Sequence, residues 1–243
     1  MNTIAPPPQI KKLPPGRRAF GIFLGFVGGV AGNIALGYAG FTFYTRQTKF
    51  VPYDTTHPDL QTPVFRTHNP ASNPPICIDH AVKTIPLSQL KTQDQRQLTT
   101  DFCRGVWSGL GYAYQRRYLE RKYRALEGRD KDLWTREELA KSEYQVGTRI
   151  TDHFEVLLHD DEKVIVRCGD SPSNSDPRPS DGLFAMEVTK DDEAQTATFH
   201  LKTCFVNTTP EGKDAQPLPW NFQLAHRLYT KLWMEAATRK LLK

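Results

Sequence analysis

Residues 19–44 run for 26 positions without a charge, and this run constrains the chain more than any other feature. Seven of those positions are glycine, and Asn33 is the one strongly polar side chain. A phosphate-cradling glycine loop, a buried core helix, a cleaved signal and a membrane span are the structures that suit it. A dinucleotide loop follows a strand and opens a helix inside a βαβ unit. Here the proline-rich, polar MNTIAPPPQIKKLPPG precedes the glycines instead. A secretory signal has a shorter apolar core and a small-residue cleavage site. A hydrocarbon layer of about 30 Å needs about 20 apolar helical residues. The run therefore predicts a transmembrane helix over 19–44, behind a basic, proline-rich tail at 1–18. Gly21, Gly25 and Gly29 recur at every fourth residue, and Asn33 and Gly37 continue the stripe. Small residues on one helix face let a second helix approach closely, so this stripe predicts homo- or hetero-oligomer contacts.

Charge sets the expected orientation. The net charge is +5. The first 53 residues carry Lys11, Lys12, Arg17, Arg18, Arg46, Lys49 and no acid, and the rest of the chain sums to −1. The basicity belongs to the flanks of the span, so no nucleic-acid partner is expected. Four basic residues before the span and two after it favour an N-terminus in the cytosol or the mitochondrial matrix. The endoplasmic reticulum, an endomembrane, or the mitochondrial inner membrane would hold such a protein. Asn207, in NTT, is a glycosylation acceptor only if the domain enters a secretory lumen. The four cysteines, Cys77, Cys103, Cys168 and Cys204, include no CxxC and no histidine at zinc-finger spacing. No metal and no cofactor is expected from that spacing.

Residues 45–80 hold prolines at 52, 58, 63, 70, 74 and 75, which predicts a stalk or surface wrap without a helix. His57, His68 and His80 lie in or beside it at irregular spacing and are read as solvated. A globular domain follows at 81–243. It starts with a short strand at 81–87. Leu98, Phe102, Val106, Leu110 and Tyr114 then recur at four-residue steps, with Trp107 and Tyr118 widening the stripe, so a helix is predicted over 94–126. Gly105, Gly109 and Gly111 weaken it and predict a break at 109–111. Its basic second half, RRYLERKYRAL, is read as a solvated face or as a contact for acidic lipid headgroups or a partner. Thr135 and Glu138 fit a capping box for a short helix. Two hairpins follow, one over 150–168 and one over 183–206, separated by a proline- and serine-rich loop. A last helix at 221–242 carries Phe222, Ala225, Leu228, Tyr229, Leu232, Trp233 and Ala236 on a wide apolar stripe. The predicted class is α+β, an antiparallel sheet packed on a long C-terminal helix.

The segments GTRITDHFEVL, VIVRCGD, DGLFAMEV, ATFHLKTCFVN and LAHRLYTKLWMEAA occur in this order. In that order they resemble the helix-grip architecture of START and polyketide-cyclase-like domains, and within it a family of unknown function. The resemblance implies a curved sheet gripping the terminal helix around an apolar cavity. It transfers no catalytic residue.

No hydrolase, zinc-protease or nucleotide-loop motif occurs. The weak catalytic candidates are therefore polar groups on apolar faces: Asp152 between Ile150 and Phe154, with Arg167 and His200 as partners by residue type. A strand-end position in solvent is the plainer reading of Asp152, and His153 is read as pointing the opposite way. His226 points either into a cavity or to a loop. Cys168 and Cys204 either pair in an oxidising compartment or pack as buried thiols. Three functions remain open from the sequence. The leading one is a membrane-tethered, non-enzymatic domain that binds an apolar small molecule or lipid. The others are a cavity-based isomerase, cyclase or hydrolase, and an assembly or scaffold subunit.

Overall fold

The structure, a computed structural model, describes Asn33 and residues 35–243. The chain divides into two compact units, Met1–Tyr44 and Thr45–Lys243. Of the first unit, residues 35–44 are helical, and a Cβ added at Gly37 or Gly40 would meet no atom within 4 Å. The predicted span lies mostly outside the described residues, as do Gly21, Gly25 and Gly29. Among the described residues no helix is long and apolar enough to cross a membrane.

The second unit is α+β. Its sheet has seven strands, all antiparallel, in the order β1-β2-β7-β6-β5-β4-β3. The strands are β1 (Lys49–Phe50), β2 (Pro75–Pro86), β3 (Arg149–Ile150), β4 (Phe154–His159), β5 (Lys163–Cys168), β6 (Asp181–Asp191) and β7 (Thr196–Val206). β3 to β7 form a meander, and β2 closes onto the last of them. The two predicted hairpins are the β4–β5 and β6–β7 pairs. The predicted 81–87 strand is the second half of β2. Its first half escapes the pattern because Pro75, Asp79 and His80 interrupt the apolar alternation, although both faces of the strand are buried.

One face of the sheet carries Ala81, Val164, Val166, Met186, Phe199 and Leu201, all fully buried beneath the helices. These are α2 (Gln95–Ser108), α3 (Leu110–Tyr123), α4 (Arg136–Lys141) and α5 (Trp220–Arg239); α1 (Pro63–His68) lies elsewhere. Asp94 caps α2 by accepting the Gln97 N–H at 2.8 Å, and Leu98, Phe102 and Val106 fill the core. Each such buried side chain contributes about 1.5–3 kcal/mol. The chain leaves helical geometry at Gly109 and restarts at Leu110, so the predicted break is present. The apolar stripe does not survive it. Leu110, Tyr114 and Tyr118 are 79%, 84% and 54% exposed, because the break turns Tyr112 and Leu119 inward instead. The capping box at Thr135 and Glu138 is complete in both directions.

The proline-rich 45–80 segment is a wrap rather than a stalk. Tyr53, Leu60 and Phe65 pack on Ile78, Cys204 and Val206, on the second face of the sheet. It also contains a helix, contrary to the reading from prolines: Pro63 occupies the first turn of α1, where no amide donor is needed, and Thr62 caps it. On this face His80 is buried, not solvated. Its Nε2 lies 2.9 Å from His200 Nδ1, and the rings of Tyr53 and His57 stand edge-on to it.

Candidate functional site

A cavity of about 240 Å³ lies between α5 and the helix-covered face of the sheet. An aromatic cluster forms much of its wall. Trp233 of α5 meets Phe184 of β6 at 5.5 Å, and it meets Trp107 and Tyr112 at the same centroid distance. Gly111 allows this approach, since a Cβ there would sit 2.7 Å from the Trp233 ring. Phe154, Phe205 and Phe222 complete an apolar lining into which His153, Thr203, Gln115 and His226 bring polar atoms.

His226, near the start of α5, is fixed by Asp79 of β2, with Nδ1 and Oδ2 2.8 Å apart. A carboxylate only accepts, so Nδ1 carries the proton of this contact, and Nε2 is the ring nitrogen left for other partners. The edge of the Phe205 ring packs against the imidazole at 5.9 Å. Asp79 is 6% exposed and sits opposite Thr203 in the β2–β7 register. Cys77, two residues earlier on the same face, completes a group of three donors within 4.8 Å of one another. Burial, reinforced by the Asp79 carboxylate, pushes the Cys77 thiol up to about 11, and the positive Arg227 partly opposes this. Cys168 lines the same cavity, and burial raises its thiol as well.

His153 reaches the cavity through an unusual turn. Thr151 and Asp152 both have φ of 51°, a left-handed conformation that is costly for a β-branched residue. Surrounding contacts hold it. The Tyr112 hydroxyl bonds the Thr151 hydroxyl, the Thr151 N–H donates to the Leu133 carbonyl at 3.2 Å, and the Asp152 N–H donates to Asp132 Oδ2 at 2.8 Å. The turn reverses the expected orientation of His153, and burial lowers its pKa, which favours the neutral ring.

The three sequence candidates do not converge on this cavity. Asp152 lies in the turn rather than on a strand face, 2% exposed, and is paired with Arg129 at 2.9 Å and with the Ser171 hydroxyl at 2.6 Å. Its environment is that of a satisfied structural carboxylate. Arg167 forms a two-pronged pair with Asp181, at 2.9 and 2.6 Å. Asp181 in turn faces buried Arg178, whose guanidinium donates to the Ser171 carbonyl. Asp152 and Arg167 are thus opposite ends of one network that anchors the 171–182 loop. His200 is on the other side of the sheet, bonded to His80 and to the Thr189 hydroxyl. Lys202, Asp59, Glu187 and Lys163 surround that pair as a chain of ion pairs. Asn207 is half-buried, and its Oδ1 accepts the Thr209 N–H. Cys168 and Cys204 lie on opposite faces of the sheet and are free thiols, so they do not pair with each other.

Asp79 and Cys77 were missed because the strand was read from residue 81. The alternation Cys77, Asp79, Ala81, Lys83, Ile85 marks their shared face once Pro75 is allowed at a strand start. The reading of this cavity rests on its own residues, because no protein-family model, no curated protein and no solved structure matches this chain.

Proposed function

We propose that residues 45–243 form a binding domain for an apolar small molecule or lipid, held at a bilayer by a transmembrane helix over 19–44. The cavity carries this reading. Its aromatic lining suits an apolar ligand, its volume of about 240 Å³ a small one, and its few polar atoms suit a single orienting group. A sheet packed on a long terminal helix also agrees with a helix-grip domain, whose cavity lies in the same relation to both. The charge-free run supports the tether, and its glycine stripe supports a partner helix. Native mass spectrometry of the detergent-extracted chain tests the reading. An apolar molecule retained at one per chain is the expected result, displaced when Thr203 or Thr230 is replaced by Phe to fill the cavity. Recovery of ligand-free protein from its native membrane overturns it.

The Asp79–His226 pair favours a second reading, in which the cavity catalyses proton transfer on its ligand. An imidazole oriented by a carboxylate is a suitable general base when its free nitrogen reaches the bound molecule. Under this reading the molecule extracted from wild type and from His226→Gln differs in structure. Under pure binding it is the same.

A further inference from the structure

We infer that Cys77, Asp79 and His226 form a binding site for a borderline divalent transition ion, with zinc the best fit. The three donor atoms lie within 4.8 Å of one another. A tetrahedron built on metal–ligand lengths of about 2.0–2.3 Å has edges of about 3.5 Å, so a modest contraction suffices. His226 is the most exposed of the three, with 20% of its side chain accessible, and its contact with Asp79 already brings two of the donors to 2.8 Å. Two further atoms mark the spot. Asp79 Oδ1 and Thr203 Oγ1 are buried without a hydrogen-bond partner, on residues 6% and 2% exposed that face each other across the β2–β7 ladder. Orphaned polar atoms are costly in a low-dielectric interior, and an ion with its bound water would satisfy both.

The donor set selects the ion. A thiolate, an imidazole and a carboxylate suit zinc and exclude magnesium and calcium, which take oxygen ligands. The charge balances: one thiolate and one carboxylate neutralise a divalent cation beside a neutral imidazole. Binding converts the Cys77 thiol to thiolate and releases one proton to solvent, while the imidazole stays neutral with its proton on the ring nitrogen that does not face the ion. Three protein ligands leave a fourth position for water or for a polar group of a molecule in the adjoining cavity. The site does not depend on the apolar-ligand reading.

Cobalt(II) titration of the detergent-solubilised full-length chain tests this. The expected result is one ion per chain, a thiolate-to-cobalt charge-transfer band, release of one proton, and displacement by zinc. Cys77→Ser removes the band. Asp79→Asn and His226→Gln each weaken cobalt binding by more than about 100-fold, the upper end of the loss seen for outer-shell partners alone. Cys204→Ser, on the other face of the sheet, leaves both band and affinity intact. Absence of the band in wild type, its survival in Cys77→Ser, or its loss in Cys204→Ser overturns the site. If the buried variants fail to fold, His226→Gln at the more exposed position decides: a folded variant that binds cobalt as tightly as wild type also overturns it. Metal uptake by ligand-free protein, or lipid retention without metal uptake, separates this site from the binding function.

Discussion

Single glycines carry more of the packing than helix propensity implies. Gly105 lies in α2, where an alanine would favour the helix by about 1 kcal/mol. A Cβ there would stand 2.8 Å from the Ala237 carbonyl oxygen of α5, a backbone atom that cannot swing aside. Gly105→Ala is therefore expected to destabilise the domain by about 1–3 kcal/mol, the usual range for overpacking, despite its better propensity. Chemical denaturation measures this, and a stabilised variant would show that the helices separate freely. Two histidines supply the second residue-scale prediction. Burial pushes His80 down to about 3 and His200 to about 4, with the neighbouring His200 and Lys202 charges adding to the effect on His80. Tyr53, His57, Asp59, Glu187 and Lys202 face this pair. An unfolded histidine titrates near 6.5. Between 6.5 and the folded values the unfolded chain binds more protons, so stability is full above pH 6.5 and falls as the pH drops toward 4. The denaturation midpoint should fall less steeply across this window in the His80→Gln/His200→Gln double variant than in wild type. Equal slopes would remove the pair as the cause.

At the scale of elements, the join between α5 and the sheet depends on a buried ion pair. Lys83 of β2 reaches Glu235 of α5 at 2.5 Å, and their side chains are 4% and 3% exposed. Thr48 donates to the same carboxylate at 2.8 Å, and Lys83 also donates to the Thr238 hydroxyl. Removing one partner strands a buried charge, so Glu235→Ala should cost about 3–5 kcal/mol. Replacing both with Lys83→Met and Glu235→Leu should cost far less, because the pair's attraction is offset by its desolvation. A double-mutant cycle in denaturant measures the difference, and equal losses in both variants would assign the cost to packing instead. This pair also explains what was legible in the sequence. Hairpins with local turns announced themselves: Asp191 and Thr196 flank a turn whose amides bond the Asp191 carboxylate. So did α4, through its capping box, and the break at Gly109. Lys83, Asp79 and His80 did not, since nothing local tells a strand that partners more than 100 residues away will satisfy its polar groups. The exposed Leu110 and Tyr114 were misread for the same reason. Four-residue spacing reports a stripe, and only the turn at Gly109 decides which way it points.

For the molecule as a whole, the central β2–β7 pairing joins residues such as Ala81 and Leu201 across most of the second unit. The meander β3–β7 can form from neighbours in sequence, but the core is sealed only when β2 docks and α5 covers it. Long-range pairing of this kind slows folding, because loop closure precedes the contacts that reward it. Thr45–Lys243 nevertheless contains every strand and every core residue of this unit, from Thr48 against Glu235 to Leu241 beneath α2. A chain expressed from Thr45 should therefore fold, unfold in one cooperative transition, and remain in the supernatant after alkaline carbonate washing of membranes. The full chain should stay in the pellet, because 19–44 supplies the uncharged length that a bilayer needs. Full-length protein in the carbonate supernatant would end the tether reading while leaving the cavity untouched. A Thr45–Lys243 fragment that failed to unfold cooperatively would show that the first 44 residues contribute to the core.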